Sequence, residues 1–364
     1  ASHNAGVAGL RQFGVQELDI IPVVSSLCKY AVHLKDPQQV RYELEKCIAI
    51  AKSGRPGPVW LEVPMDVQAA QIDPDLLPAY THDDVTPAAS ADDIATVAQA
   101  LKQAERPVII AGRGIRLAGA QKLLADFASR LSIPVVTPYL GIDNLRHDLD
   151  IYIGKTGVKG DRPANYAMQN ADLILSIGSS LHVSVIGYDY DQFARAARKF
   201  VVDIDPTSHR KKTFKIERLI ESDAKVFLSA LDATIAKDVA PKTPWLSRCV
   251  GWKKKYPVCL PEYVNTQNAI NIYSFVDRLS ALSREGDMFV SDAGSAFYAV
   301  SQGIQLTRDN QRYIPSGAMA TMGYSLPAAI GVSAAINDQR VLAVTGDGSL
   351  QQNLQELQTL LSYH

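Results

Sequence analysis

The sequence lacks the features that mark secreted, metal-rich and membrane proteins. Only four cysteines occur, Cys28, Cys47, Cys249 and Cys259, with no C-x-x-C pair and no histidine at metal-ligand spacing. No apolar run reaches the roughly 20 residues that a membrane-spanning helix needs. The first residues, Ala1–Gln12, lack the apolar core of a signal peptide. We therefore expect free thiols in a reducing cytoplasm and no membrane segment.

An excess of charge of one sign is also missing. The chain carries 37 basic and 38 acidic side chains, and its formal net charge is −1. This balance gives no electrostatic reason to expect nucleic acid or an anionic membrane as a partner. Hydrophobic residues at 47% and charged residues at 21% are typical of a folded globular protein. The length allows about two or three domains.

The stretch Arg340–Leu354 has the pattern of a strand, a tight turn and a helix. Val341–Val344 is a short apolar run, as expected for a parallel strand that is buried on both faces. The helix is indicated by leucines at helical spacing, Leu350, Leu354, Leu357 and Leu361. In open α/β sheets, ligands bind where strands end and helices begin. The turn Gly346–Ser349 is therefore a candidate site.

Asp347 lies between two glycines in this turn. Its carboxylate suits Mg²⁺, which commonly bridges a protein carboxylate to phosphate groups. Gly346 and Gly348 allow the backbone to approach a diphosphate, and the amides after Gly348 begin a helix, which favours anions. The alternative is a plain Asp-Gly turn that joins strand to helix.

The rest of the chain alternates short strands with helices. This alternation predicts an α/β fold with doubly wound, mostly parallel sheets in several domains. A helix is expected over Pro37–Lys52, capped by Asp36, with a buried stripe of Leu44, Cys47 and Ile48. Pro/Asp-rich composition predicts a linker over 67–89, and a second, irregular connection over 236–265.

Between these linkers, 90–235 is expected to form a Rossmann-like domain. A helix capped by Ser90 buries Ile94, Val97 and Leu101, and strands are predicted at 107–111, 134–137, 171–177 and 200–204. Two glycine patterns here are incomplete. Gly112-Arg113-Gly114 lacks the third glycine of a dinucleotide fingerprint, and Gly154-Lys155-Thr156 lacks the first glycine of a P-loop. We interpret the first as a structural turn, and the basic run 209–212 as a solvated face.

Four stretches together resemble the thiamine-diphosphate-dependent enzymes of the acetolactate synthase type. They are Ser53–Gln68, Phe289–Tyr298, Ile314–Ile330 and the turn at Gly346–Ser349, and they occur in the family's order over essentially the whole chain. The resemblance implies that 1–66 is the C-terminal part of a pyrimidine-binding domain, 90–235 the central domain and 266–364 a truncated diphosphate-binding domain. The sequence is then incomplete at both ends. The family's activating glutamate and second metal ligand are expected outside it.

The resemblance also implies roles for individual residues. Asp347 is the expected Mg²⁺ ligand, and Met322 the apolar residue that supports thiamine diphosphate. Gln16 and Lys29 match positions that face the substrate, so that the expected catalytic residues are Met322, Gln16 and Lys29. The expected cofactor-binding residues are Ala293, Gly294, Ser295, Ala320, Met322, Gly346, Gly348 and Ser349.

The implied activity is decarboxylation of a small 2-oxo acid with formation of a carbon–carbon bond, in a homodimer or homotetramer. Ser295-Ala296 replaces the Gln-His of acetolactate synthases, which leaves the substrate open. The arginine of flavin-binding relatives is absent from 178–181, which argues against FAD. Two alternatives remain: a flavin- or nicotinamide-dependent oxidoreductase that uses the central domain, and a non-catalytic scaffold of the same fold.

Overall fold

The computed structural model describes residues 12, 14–15, 17–83, 85–235, 239–264, 266–267, 269–336 and 339–363. The chain divides into two compact units, Ala1–Pro87 and Ala88–His364. All strand pairs in the described residues are parallel. The predicted α/β fold with parallel sheets is therefore confirmed. Within the same residues, every helix is too short or too polar to span a bilayer.

The described residues of the first unit form a two-stranded sheet, one long helix and two single-turn helices. Its elements are α1 (Ile21–Val24), β1 (Tyr30–His33), α2 (Val40–Lys52), β2 (Val59–Glu62) and α3 (Met65–Gln68). The predicted helix is present as α2. In the turn that precedes α2, the Asp36 side chain accepts a hydrogen bond from the Gln38 amide. Strand β1 was not predicted.

The predicted buried stripe of α2 is wrong for two of its three residues. Cys47 is buried, whereas Leu44 and Ile48 are each 48% exposed. The reason is that α2 packs within this unit mainly on β1, β2 and the short 3-10 turn before it. Two short strands cover a single line of side chains on the helix.

The second unit begins with a six-stranded sheet in the order β5-β4-β3-β6-β7-β8, which we call the large sheet. Its strands are β3 (Pro107–Ala111), β4 (Val135–Thr137), β5 (Tyr152–Lys155), β6 (Leu173–Ile177), β7 (Arg198–Asp203) and β8 (Arg218–Glu221). The helices around it are α4 (Ala91–Gln103), α5 (Arg113–Leu117), α6 (Gln121–Leu131), α7 (Arg162–Asn170), α8 (Val183–Ile186), α9 (Ala224–Ile235) and α10 (Thr243–Lys255).

The best-predicted elements of the large sheet are those with the most apolar sequences. β3 and β6 are buried along their whole length. Helix α4 begins at a complete capping box between Ser90 and Asp93, and its predicted inner face is buried. Burial of apolar side chains on both faces of the sheet stabilises this part of the chain.

Two predictions for this region are wrong in part. The connection predicted over 236–265 contains α10, whose Trp245 is buried and donates from Nε1 to the Pro107 carbonyl at 3.0 Å. The basic run 209–212 is not wholly solvated. His209 is buried beside Asp203 at 3.2 Å, and the Lys211 ammonium donates to the Ser180 carbonyl at 2.5 Å.

A three-stranded sheet in the order β10-β9-β11, which we call the small sheet, completes the second unit. Its elements are α11 (Ile272–Ala281), β9 (Met288–Ser291), α12 (Gly294–Gly303), β10 (Arg312–Pro315), α13 (Ser325–Ala335), β11 (Val341–Val344), α14 (Asp347–Gln351) and α15 (Glu356–Tyr363).

The small sheet differs from the prediction at its edge. β11 lies where predicted, but it is only partly buried, because it pairs with β9 on one side. The helix predicted after it is broken into α14 and α15. The central strand β9 is buried throughout.

Candidate cofactor site

The segments that follow the three strands of the small sheet lie at one edge. In the parallel registers, Ser291 at the end of β9 pairs with Pro315 of β10 and with Val344 of β11. The carboxyl ends of the strands are therefore aligned. The structure thus brings together the predicted turn Gly346–Ser349, the segment Ala293–Ser295 and the segment that leads from β10 to Met322. We call Ala293–Ser295 and Gly346–Ser349 the small-sheet turns.

Two glycines of the small-sheet turns, Gly294 and Gly346, face open space. A Cβ atom built on Gly294 or on Gly346 would meet no atom within 4 Å, and Gly294 has a φ of +59°. Gly294 and Gly346 are themselves exposed. A bound group can therefore approach the backbone closely at both turns.

Asp347 presents an unengaged carboxylate at this edge. The side chain is exposed, and it makes no hydrogen bond or ion pair to other described residues. In the described part of the chain, no three His, Cys, Asp or Glu side chains cluster as metal ligands. One protein carboxylate, completed by phosphate oxygens and water, is a donor set that fits Mg²⁺.

Met322 lies beside the same turn. Its side chain is 46% exposed, and its Cε atom is 3.5 Å from the position that a Cβ on Gly348 would occupy. Two residues earlier, Ala320 adopts the left-handed conformation with a φ of +47°. Glycine is favoured there, and an alanine costs about 1–2 kcal/mol in that conformation.

Ser349 is part of the small-sheet turns, but its hydroxyl points into the protein. The side chain is buried, donates to the Asp292 carboxylate and accepts a hydrogen bond from the Gly323 amide at 2.7 Å. A contact from Ser349 to a bound phosphate would have to come from its backbone amide. Its predicted role as a cofactor-binding residue stays a prediction.

Sequence reasoning assigned no role to Asp292, which is the most connected side chain of this edge. Its carboxylate accepts hydrogen bonds from Ala293, Ser325, Thr345 and Ser349. The available signal was its position, because an acidic residue directly follows the buried strand β9.

The two other predicted catalytic residues belong to the first unit. Lys29 donates from Nζ to the carbonyls of Ile50 at 2.5 Å and Ser53 at 2.7 Å, which caps the C-terminal end of α2. Gln16 lies outside the described residues. The catalytic roles of Lys29 and Gln16 stay predictions.

The glycine turn of the large sheet is closed by a neighbouring loop. A Cβ on Gly112 would lie 2.1 Å from the carbonyl oxygen of Gly178, and one on Gly114 would lie 2.6 Å from the Gly178 Cα. The Gly114 amide also donates to the Gly178 carbonyl at 2.9 Å. These glycines are explained by the close approach of two backbone segments.

The second incomplete pattern, at Gly154–Thr156, also has structural partners. Lys155 is buried and donates from Nζ to the Ile304 carbonyl at 2.8 Å, after the end of α12. Burial lowers the pKa of Lys155 to about 8. Thr156 bonds to the Asn165 side chain at 3.1 Å.

His147 forms a further buried contact between the large-sheet region and the segment after α12. Its Nδ1 accepts a hydrogen bond from the Leu306 amide at 3.1 Å, so Nε2 carries the proton and donates to the Ile142 carbonyl at 2.9 Å. The ring stacks on Tyr152 with centroids 4.2 Å apart. Burial, together with the nearby charges of Lys155 and Lys253, holds the pKa of His147 well below its usual value.

Comparisons with protein families agree with this geometry. Residues 94–231 match the family described as thiamine pyrophosphate enzyme, central domain. Residues 292–364 match the thiamine pyrophosphate enzyme, C-terminal TPP binding domain, and this range contains the small-sheet turns and Met322. The chain belongs to the thiamine pyrophosphate enzymes, which confirms the resemblance seen in the sequence.

Within this class, the chain is similar to acetolactate synthase large subunits. It is 31% identical to the probable acetolactate synthase large subunit of Methanocaldococcus jannaschii over 96% of this chain and 60% of that protein. It is 29% identical to the acetolactate synthase large subunit of Cyanidium caldarium, over 96% of this chain and 60% of that protein. It is also 29% identical to the acetolactate synthase isozyme 1 large subunit of Escherichia coli K12, over 94% of this chain and 59% of that protein. The chain thus spans about 60% of the length of these relatives.

Proposed function

We propose that this protein binds thiamine diphosphate through Mg²⁺ at the small-sheet turns and decarboxylates a 2-oxo acid with formation of a carbon–carbon bond. The observation that carries the proposal is the open turn at the end of β11. There the Asp347 carboxylate is unengaged, and Met322 lies beside Gly348. The similarity to acetolactate synthase large subunits supports the same activity.

Each part of the edge has a distinct task in this proposal. Asp347 would hold the Mg²⁺, and the backbone of Gly346, Gly348 and Ser349 would lie along the diphosphate. Ala293–Ser295 would also bind the diphosphate, through the amides at the start of α12. Ala320 would shape the segment before Met322, which would support the cofactor with an apolar surface. Thiamine diphosphate itself supplies the chemistry of decarboxylation, and the protein supplies binding and orientation.

Calorimetry with thiamine diphosphate in the presence and absence of Mg²⁺ tests this assignment. We expect the wild-type protein to release heat only when both are present, and Asp347→Ala to lose the signal. Asp191→Ala is the matched control, because Asp191 is an exposed carboxylate in the large-sheet region. An unchanged titration for Asp347→Ala would contradict the metal assignment, and no heat from the wild type would contradict the proposed function.

The substrate is a small 2-oxo acid in this proposal. The start of α12 presents Ser295 to solvent and buries Ala296, where the family resemblance leads one to expect two larger polar side chains. Smaller side chains leave more room above the site. Assays with pyruvate, 2-oxobutyrate, glyoxylate and phenylglyoxylate, followed by CO₂ release and product analysis, would identify the donor and the acceptor.

A homodimer or homotetramer, with the protein in the cytoplasm, is part of the same proposal. The segment after β10 and the residues in and just before α15 carry exposed apolar side chains, Met319, Leu354, Leu357, Leu360 and Leu361. All four cysteines are free thiols, which fits a reducing compartment. Light scattering should give a mass of two or four chains, and the mass of one chain would contradict the assembly.

The alternatives are not favoured. An oxidoreductase would need the large-sheet glycine turn as a dinucleotide site, but the backbone of Gly178 lies against Gly112 and Gly114. A non-catalytic scaffold would have no need for an unengaged carboxylate between two accessible glycines. FAD therefore has no proposed site in this protein.

A further inference from the structure

Asp292 is a buried carboxylate without a cationic partner among the described residues. It follows β9, the central strand of the small sheet, and its relative exposure is 0%. Burial alone would raise the pKa of Asp292, but hydrogen bonds from Ser349, Ala293, Ser325 and Thr345 hold that pKa below its usual value. Hydrogen bonds, and no cation among the described residues, therefore stabilise the ionised form of this carboxylate.

The donors come from different segments of the site. The Ala293 amide donates at 2.7 Å from the first small-sheet turn, and the Ser325 amide donates at 3.2 Å from the start of α13. Thr345, at the end of β11, donates from Oγ1 at 3.0 Å, and the Ser349 hydroxyl donates from α14. The Ser316 hydroxyl, after β10, donates to the backbone carbonyl of Asp292. One residue thus receives hydrogen bonds from the segments after all three strands.

A second hydrogen bond extends this network to the segment that carries Met322. The Gly323 amide donates to the Ser349 hydroxyl oxygen at 2.7 Å, and the Gly323 carbonyl accepts from Asn353 Nδ2 at 2.6 Å. The backbone directly after Met322 is therefore fixed to Asp292 through a single hydroxyl group. Both hydrogen-bonding directions of that hydroxyl are used.

We propose that Asp292 is the positioning residue of the site: its carboxylate sets the two small-sheet turns and the Met322 segment in the arrangement that receives the diphosphate. This inference rests on the proposed function. A carboxylate accepts hydrogen bonds and donates none, so it directs the protons of Thr345 and Ser349 inward. An asparagine would present an amide donor to at least one of these donors, and the turns would lose their common anchor.

The test is Asp292→Asn, with Asp161→Asn as the matched control. Asp161 is also a buried carboxylate, which accepts from the Lys155 and Ala164 amides in the large-sheet region. We expect Asp292→Asn to raise the calorimetric Kd for thiamine diphosphate in saturating Mg²⁺ by about 10- to 100-fold, as removal of a residue that orients metal ligands commonly does. Asp161→Asn should lower Tm but leave that Kd near the wild-type value.

Kinetics separate positioning from general loss of stability. For Asp292→Asn, the apparent KM for thiamine diphosphate should rise, whereas kcat at saturating cofactor should stay close to the wild-type value. An unchanged Kd for Asp292→Asn, or an equal rise for Asp161→Asn, would overturn the inference while the proposed function stands. If the wild type itself binds no thiamine diphosphate with Mg²⁺, the proposed function fails and this inference fails with it.

A smaller change keeps the test decisive if Asp292→Asn does not fold. Ser349→Ala removes the link between Asp292 and Gly323 without a buried charge being altered. Its control is Ser176→Ala in β6, since the buried Ser176 hydroxyl has no hydrogen-bond partner within the described structure. We expect only Ser349→Ala to weaken cofactor binding, and equal Kd values for the two variants would overturn the inference.

Discussion

Gly112 and Gly346 occupy the same place in two different sheets. Each follows a parallel strand, each is the N-cap of the next helix, and each has a φ of −84° with an extended ψ. A Cβ on Gly112 would nevertheless collide with the Gly178 carbonyl at 2.1 Å, whereas one on Gly346 would meet no atom within 4 Å. The two positions therefore differ in their surroundings and agree in their backbone conformation.

The comparison shows that a glycine after a strand has two unrelated uses. In the large sheet, it allows two strand-end loops to pack against each other. In the small sheet, it leaves the strand end accessible, which is the condition for a ligand site in a parallel sheet. The incomplete glycine pattern favoured a structural turn at Gly112, but the atoms that close this turn belong to Gly178, far along the chain.

The largest expected effect is on folding. Gly112→Ala should lower the free energy of unfolding by about 3 kcal/mol or more, since the added methyl group must displace the Gly178 backbone. Gly346→Ala should change it by no more than about 0.5 kcal/mol, as at an open surface position. Urea denaturation of both variants measures the difference. Equal stabilities would remove the contrast between the two sheets.

The second prediction concerns cofactor binding, in which Gly346→Ala should have a larger effect than Gly112→Ala. Gly346→Ala should weaken binding of thiamine diphosphate by about 10-fold or more, because its methyl group occupies the space proposed for the diphosphate, and a factor of ten corresponds to about 1.4 kcal/mol. Calorimetry in saturating Mg²⁺ measures this change. Wild-type affinity in Gly346→Ala would place the diphosphate elsewhere.

The third prediction concerns the buried contact between the two sheet regions at His147. The pKa of His147 is held well below its usual value in the folded protein, so below about pH 6.5 the unfolded chain binds the additional proton. The stability contributed by neutral His147 is therefore present above pH 6.5 and is lost as the pH falls, by up to about 1.4 kcal/mol per pH unit.

Urea denaturation between pH 7.5 and 5.5 measures this slope in the wild type and in His147→Gln, which cannot titrate. Other groups titrate in both proteins, so the difference between the two slopes isolates His147. Parallel slopes would show that the contact between the regions does not respond to pH.

The smallest effect is expected at Ala320, where the small-sheet region has a side chain in the left-handed conformation. Ala320→Gly should stabilise the protein by about 0.5–1 kcal/mol, because relief of strain exceeds the added flexibility of the unfolded chain. Ser132→Gly, at a φ of 51° after α6, is the matched control in the large-sheet region. A lower free energy of unfolding for Ala320→Gly would contradict the proposal that the backbone of Ala320 is strained.

Runs of apolar residues in the sequence predicted the strands whose side chains are all buried. β3 and β6 were placed close to their observed bounds because each is an apolar run buried along its length. β5 was missed because it contains a glycine and the buried Lys155, whose charge is accommodated by the carbonyl of Ile304. Helix α10 was missed because Pro244, Gly251 and a run of lysines obscure its apolar face.

Part of the candidate site could be predicted from the sequence and part could not. The turn Gly346–Ser349 could be predicted because its residues are consecutive. The part played by Asp292 could not, since its donors Ser325, Thr345 and Ser349 lie 33 to 57 positions further along the chain. Only the folded sheet brings these groups together.

The exposed position of Ser295 at the start of α12 has an evolutionary consequence. Exchanges of the Ser295 side chain carry little penalty for the fold, whereas the φ of +59° at Gly294 favours glycine. Ancestral enzymes could therefore have acquired new substrates by altering this stretch while the scaffold underneath remained the same. Laboratory selection for altered specificity has most freedom to begin there.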